Sequence, residues 1–212
     1  MTDLLRFLLE RRSDIAAQTL EHLFLVGVSI SIAVAVGIPL GIALTRKPSL
    51  ASPVIGFASV MQTVPSLALF GFLIPIPLIG GIGNTTAIVA LVIYALLPLL
   101  RNTYAGIQSV EPSVVEAGRG MGMTDLERLR LIEIPLSLPT ILAGIRIATV
   151  NSIGLATIAA AVGAGGLGNL ILRGLSMVDT RLILAGAVPA AALALLADGL
   201  LGRFERWLGW DR

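Results

Sequence analysis

The chain has no cysteine, little charge and few aromatic residues. Without cysteine, disulfide bonds and thiolate metal sites are excluded. Charged residues make up 13% of the 212 residues, against about 25% in an average soluble domain. No G-x-x-x-x-G-K-[ST] segment occurs, so the chain lacks the phosphate-binding loop of an ATPase. These absences argue against an enzyme with its own ATP chemistry, and we identify no catalytic residue, metal site or cofactor site.

Apolar residues, in contrast, make up 56% of the chain. A soluble protein of this length has too much surface to bury that share, so the excess is expected to face lipid. A membrane helix needs about 20 apolar residues. The pattern predicts an all-α, multi-pass membrane protein with five transmembrane helices, near Leu23–Leu44, Val54–Leu78, Asn84–Leu100, Leu138–Ala161 and Leu182–Leu201.

Basic residues predict how these spans are oriented. Nine arginines and lysines lie on the side that contains Lys47 and the C-terminus, and five lie on the side of the N-terminus. Because cytoplasmic loops retain basic residues, we expect the N-terminus outside and the C-terminus inside. Trp207 and Trp210 would then lie at the inner interface. The basic residues are too scattered to form a nucleic-acid-binding stripe.

A polar segment between the third and fourth spans carries nine charges, yet its apolar residues recur at helical spacing. Pro112 suits the first turn of one short helix, and Thr124 with Glu127 forms a capping box for a second. Gly120 and Gly122 separate the two helices. This arrangement is typical of a docking element for a soluble partner.

The polar segment contains the motif by which the chain resembles a known family. Its spacing is similar to the signature loop of binding-protein-dependent ABC importer permeases, with Gly118 in place of an alanine and Ile134 in place of a leucine. The resemblance implies a type I ABC importer permease fold in the cell inner membrane. The matching residues, which the resemblance assigns to an ATPase-coupling loop, are Glu116, Ala117, Gly118, Gly122, Ile132 and Pro135.

The family implies roles for these residues and partners for the chain. Glu116 would be the polar contact to a cytoplasmic ATPase, Ala117 and Gly118 a floor for close packing, and Gly122 the turn. Ile132 and Pro135 would fix the loop to the fourth span. The implied partners are cytoplasmic ABC ATPase subunits, which hydrolyse ATP, a second permease subunit that is identical or homologous, and an extracytoplasmic solute-binding protein.

Several further segments are similar to the osmoprotectant branch of that family, whose permeases take up glycine betaine, carnitine or choline. They are Gln62–Ser66, Leu96–Thr103, Ala143–Arg146 and Gly163–Gly168. The resemblance implies a permease domain over residues 20–202, with its coupling loop at about 101–137. Residues 1–19 would form an extracytoplasmic amphipathic segment, on the membrane surface or packed beside the first span, and residues 203–212 a cytoplasmic tail.

Polar residues inside the spans are candidates for a translocation path. We single out Gln62, Thr63, Pro65, Ser66 and Asn151, because proline frees a backbone carbonyl and polar side chains line paths or bond neighbouring helices. Ser152 and Thr157, in the fourth span, are expected to bond neighbouring helices instead.

Two charged residues, Arg146 and Asp198, lie nearest to the membrane interior. They are expected either to pair with each other or to extend to the interface. His22, the one histidine, is expected at the interface, with proton coupling as the alternative. Gly163–Gly168 matches G-x-G-x-x-G, but it follows a membrane helix and not a strand, so we expect tight outer turns and no dinucleotide site.

Two other functions remain as alternatives. One is an ABC importer permease for a different amino-acid-like solute. The other is an ion-driven secondary transporter, which would call for internal repeats or paired intramembrane acids. The sequence has neither feature.

Overall fold

The computed structural model describes residues 2–77 and 79–208, and every regular element within them is helical. This confirms the all-α class. A π-helical turn, Leu129–Glu133, and a 3₁₀ turn, Ala160–Val162, precede and follow the eighth helix. The helices are α1 Thr2–Glu10, α2 Arg12–Arg46, α3 Pro48–Thr63, α4 Ser66–Leu73, α5 Asn84–Gln108, α6 Pro112–Gly120, α7 Asp125–Arg128, α8 Ile134–Ala159, α9 Gly168–Met177 and α10 Thr180–Leu208.

Four helices in the described part of the chain are long and apolar enough to cross a membrane. They are α2, α5, α10 and the continuous helix Asp125–Val162, which contains α7 and α8. The pair α3 and α4 makes a fifth span if it is counted as one, although the two helices are bent by 101°. The predicted second span is therefore wrong as a continuous helix, and its predicted end, Leu78, lies outside the described residues.

The break between α3 and α4 follows from Pro65. A proline has no N–H and forces the preceding residue out of the helical region, and both Val64 and Pro65 are extended. The Tyr94 hydroxyl donates a hydrogen bond to the carbonyl of Val64, and Gln62 Nε2 donates to the carbonyl of Tyr94 at 2.9 Å. The break is thus fastened to α5.

Helix α5 is the centre of the bundle. In its most apolar 18-residue window 50% of the residues are buried, against 22–33% in the other three long spans. Helices α2 and α8 pack on either side of it. Small residues permit the close approach, because a Cβ at Gly41 would lie 2.8 Å from the Thr103 Cβ and one at Gly144 2.7 Å from the Asn102 Cβ.

The first span extends well beyond its apolar part. Helix α2 has 35 residues, or about 50 Å, which exceeds the roughly 30 Å of a bilayer core. The helix begins at Arg12, inside the predicted N-terminal segment of residues 1–19, and continues without a break into the first span. Ahead of it, Phe7 and Leu8 of α1 pack against a buried cluster formed by α9 and α10. Trp207 is exposed, and Trp210 lies outside the described residues.

Candidate functional site

The polar segment that follows α5 folds as two short helices, as predicted. Pro112 occupies the start of α6, and Gly122 lies in the turn that follows it, with φ of +81°. The capping box is present: the Thr124 N–H donates to Glu127 Oε2 at 2.8 Å, and the Glu127 N–H donates to Thr124 Oγ1 at 3.3 Å. Helix α7 then continues through the π-helical turn into α8. We call residues 109–133 the polar loop.

Gly118 is buried inside the polar loop itself. A Cβ at this position would lie 2.8 Å from Ile132 Cδ1 and 3.2 Å from Met123 Sδ. The absence of a side chain therefore lets α6 lie against the π-helical turn of the same chain. From the sequence, the small size of this residue is expected to let a partner approach closely. In the structure, it lets two parts of the same chain pack together.

The outer face of the polar loop combines exposed apolar side chains with exposed charged ones. Glu116 and Ala117 are exposed on α6, and Met121 is 74% exposed at its end. Leu126, on α7, is also exposed. Pro135 is exposed at the start of α8. Arg119, Asp125 and Glu127 are exposed as well. Exposed apolar side chains rimmed by polar residues are typical of a protein interaction site.

The same segment contains a network of charges, which we call the ion junction and define as Arg46, Asp125, Arg128 and Glu133. Arg128 and Glu133 are buried, whereas Arg46 and Asp125 are exposed. Glu133 accepts from Arg128 Nε at 3.3 Å through Oε1, and from Arg46 Nη2 through Oε2. The side chains of Glu133 and Arg128 are each only 4% exposed. Arg128 Nη2 also donates to the exposed Asp125 at 2.7 Å.

The sequence analysis missed the ion junction. It used Arg46 and Arg128 only to orient the spans, and it took Ile132 and Pro135 but not Glu133 from the motif. A signal was present, since Glu133 is an acid flanked by two isoleucines at the edge of a membrane span. Such an acid is rarely left unpaired.

The predicted path residues are only partly brought together. Gln62 and Asn151 line one cavity of about 460 Å³, along with Tyr94 and Ser152. Its lining does not include Thr63, Pro65 or Ser66. The hydroxyl of Thr63 bonds the carbonyl of Val60 in its own helix, Pro65 forms the break, and Ser66 starts α4.

The two fourth-span residues expected to bond neighbouring helices do not do so. Thr157 bonds the carbonyl of Gly154, in its own helix, at 2.7 Å. The Ser152 hydroxyl is buried with no partner among the described residues. A hydroxyl in a helix can reach a carbonyl one turn earlier, so Thr157 forms its hydrogen bond within its own helix and not with a neighbouring helix.

Arg146 and Asp198 lie close together. Arg146 Nη1 is 3.4 Å from Asp198 Oδ1, and Arg146 Nε is 3.2 Å from Glu205 Oε2. Glu205 was not expected from the sequence, although it lies two helical turns after Asp198 on α10. The guanidinium is about one-third exposed and Asp198 about half, so neither charge is enclosed by the chain itself.

The opposite end of the bundle is built from backbone turns. Gly163, Gly165 and Gly166 all have positive φ, as expected for tight turns. The N–H of Gly166 donates to Glu21 Oε2 at 3.0 Å. His22, on α2, is fully buried, with Nε2 3.0 Å from the carbonyl of Ile153 in α8.

The fold is that of a multi-pass helical membrane protein with a polar helical loop between two of its spans. A model of the family described as binding-protein-dependent transport system inner membrane component matches residues 34–210. The chain belongs to this family. It is an inner-membrane transport component, which confirms the resemblance and argues against an ion-driven secondary transporter.

Individual relatives extend over almost the whole chain. It is 46% identical to the osmoprotectant import permease protein OsmW of Salmonella typhimurium, across 96% of this chain and 95% of the relative. It is 44% identical to the glycine betaine/carnitine/choline transport system permease protein OpuCB of Bacillus subtilis, across 97% and 94%.

Solved structures confirm the fold. A chain of the inward-facing MetNI methionine ABC transporter matches with a TM-score of 0.83, covering 93% of this chain and 96% of that chain. Its sequence identity is 23%, so the likeness establishes the type I ABC importer permease fold and says nothing about the solute.

Proposed function

We propose that the chain is the permease subunit of an ATP-driven importer for osmoprotectants such as glycine betaine, carnitine or choline. The observation that carries this proposal is the identity of 46% and 44%, over nearly full length, to relatives whose names describe uptake of these solutes. The chain has no ATPase motif. ATP hydrolysis then belongs to cytoplasmic partner subunits, and solute capture to an extracytoplasmic binding protein.

The polar loop is the proposed contact to the ATPase. Its exposed face combines the apolar side chains of Ala117 and Met121 with the charges of Glu116 and Arg119, so a groove with apolar walls and charged groups of both signs would fit it. We call α6 the coupling helix. This places the polar loop and the C-terminus in the cytoplasm and the N-terminus outside, in agreement with the nine-to-five excess of basic residues on that side.

This orientation also assigns roles to the other segments of the chain. Residues 20–202 form the permease domain, residues 1–19 an extracytoplasmic segment and residues 203–212 a cytoplasmic tail. A second permease subunit would complete the path, because a single copy leaves the cavity beside Gln62 and Asn151 open at its surface. Closure of the ATPases would move the coupling helices and open this path outward.

Uptake by cells tests the proposal. A strain without betaine, carnitine or choline uptake would express the chain with an ABC ATPase subunit and a solute-binding protein of an osmoprotectant importer, and uptake of each labelled solute would be measured. We expect concentrative uptake of at least one of the three, and none when the ATPase is omitted. Uptake without the ATPase would contradict the proposal, as would transport of amino acids alone.

A further inference from the structure

Helix α6 contacts the rest of the protein mainly through other parts of the polar loop. It packs chiefly on the π-helical turn and on α7. A cavity of about 290 Å³ lies between it and the ends of α2 and α5, lined by residues that include Arg46, Glu116 and Glu133. A displacement of α6 would therefore be transmitted to the membrane spans by two routes, the short link to α5 and the π-helical turn.

The π-helical turn carries the residue that joins these elements. The N–H of Ile134 donates to the carbonyl of Leu129, five residues earlier, which is the π pattern. Winding of this kind brings side chains five apart towards one face, so Glu133 lies beside Arg128. π-helical turns are rare and occur often at functional sites.

Glu133 also connects this turn to the first span. One carboxylate oxygen accepts from Arg128, at the end of α7, and the other accepts from Arg46, at the end of α2. The loop is thus tied to α2 through a single buried carboxylate. The cavity separates α6 from the end of α2, so this ion pair joins the first span to the π-helical turn beside the cavity.

We propose that Glu133 is a positioning residue, which passes movement of the coupling helix to the first span through Arg46. This inference rests on the proposed ATPase contact at α6. The π-helical turn continues into α8, so one movement of α6 would shift α8 directly and α2 through the ion pair. The pair is suited to this role because Glu133 is buried, so that separating it from the 39% exposed Arg46 would leave a poorly solvated charge. Without it, α6 would still bind the ATPase, but α2 would no longer follow.

The test compares two neighbouring positive charges. Arg46→Met removes the contact to Glu133, whereas Lys47→Met removes an exposed charge that forms no ion pair in the described part of the chain. Each variant would be reconstituted in liposomes with the ATPase and binding protein. The quantity measured is ATP hydrolysed per labelled glycine betaine taken up.

We expect this ratio to rise about tenfold in Arg46→Met, with the ATPase still bound, and to stay at the parental value in Lys47→Met. Arg46→Lys should restore part of the coupling, because it keeps a charge near Glu133. If Arg46→Met does not reach the membrane, Arg46→Lys and Glu133→Gln test the same ratio. A purely structural role would lower hydrolysis and uptake in proportion and leave the ratio unchanged.

A parental ratio in Arg46→Met, or an equal rise in Lys47→Met, would overturn the inference. Glu116→Lys in the same assay separates this failure from failure of the proposed function. If Glu116→Lys also transports normally, then the ATPase contact itself is misplaced. If Glu116→Lys is inactive while Arg46→Met couples normally, only the role of the ion junction is wrong.

Discussion

The two ends of the helical bundle are held together by different chemistry. At the polar-loop end, the side chains of Arg46, Arg128 and Glu133 form ion pairs across three elements. At the opposite end, side chains of α2 bind a glycine-rich turn: the N–H of Gly166 donates to the carboxylate of Glu21, Asn169 Nδ2 donates to Gln18 at 3.3 Å, and the neighbouring glycines have positive φ. One end is joined by ion pairs between side chains, and the other by hydrogen bonds at a glycine-rich turn.

This difference predicts different functions for the two ends of the bundle. Ion pairs around the buried Glu133 hold a few side chains in a fixed geometry, which suits the polar-loop end, where the ATPase is proposed to act. A loop of glycines in left-handed conformations changes shape at low cost, since glycine tolerates many backbone angles. We therefore expect substitutions at the polar-loop end to affect coupling, and substitutions at the opposite end to affect stability and opening.

The largest effect is expected from reversing the charge on the coupling helix. Glu116→Lys should abolish uptake and release the ATPase during purification, because the exposed carboxylate would meet its partner with the wrong sign. Uptake and ATPase recovery in detergent would be measured at equal expression.

Glu111→Lys is the matched control, since Glu111 is exposed just before the start of the same helix. It should retain most of the uptake. Equal losses in the two variants would mean that the charge of the whole loop matters and the face of α6 does not.

The second effect concerns packing inside the polar loop. Gly118→Leu should lower the free energy of unfolding by about 1–3 kcal/mol, because its Cβ would already lie 2.8 Å from Ile132. Gly120→Leu is the control, since nothing lies within 4 Å of its Cβ. Thermal unfolding in detergent distinguishes the two, and a Gly118→Leu protein as stable as the control would show that Ile132 yields freely.

A smaller effect is expected at the opposite end. Gly166→Ala should cost about 1–2 kcal/mol of stability, because φ is +75° and the new Cβ would lie 3.2 Å from His22 Nδ1. Gly27→Ala, in an open helical position, should be neutral or slightly stabilising. An unfolding midpoint for Gly166→Ala at or above that of Gly27→Ala would argue against the strained turn.

The smallest effect is expected for the pair of Arg146 and Asp198. Both side chains are partly exposed, so a double-mutant cycle with Arg146→Gln and Asp198→Asn should give a coupling below about 1 kcal/mol. Glu205 remains near Arg146 after Asp198 is changed, which weakens the cycle further. A coupling of several kcal/mol in the unfolding measurements would place the pair in a far drier setting than the structure indicates.

Much of the fold was predictable because hydropathy reports burial in lipid. The third span was expected to start at Asn84 and α5 does start there, but α5 runs on to Gln108 because a helix need not end where its apolar part ends. Similarly, charges near Arg12 hid the start of α2. The bend at Pro65 was not predicted, since a proline inside a span can leave it continuous, as Pro98 does in α5.

Within the candidate site, local patterns were predictable and long-range contacts were not. The capping box of Thr124 and Glu127 depends on residues three apart, so sequence spacing was enough. The contact of Glu133 with Arg46 joins residues 87 apart, and no pattern in one sequence gives that. Gly122 lies in the turn, as the resemblance implies. Because its φ is +81°, a substitution such as Gly122→Leu would strain the turn whether or not a partner is bound, so it would not test docking by itself.

The most direct test of the account uses the absence of cysteine from the chain. Ala117→Cys and Asp179→Cys each introduce a single thiol, one on the coupling helix and one just before α10. A short thiol-reactive photo-cross-linker would be attached to each variant in membranes that contain the ATPase and the binding protein. We predict that Ala117→Cys cross-links to the ATPase and that Asp179→Cys does not. Cross-linking of the ATPase from position 179 alone would contradict both the docking face and the orientation.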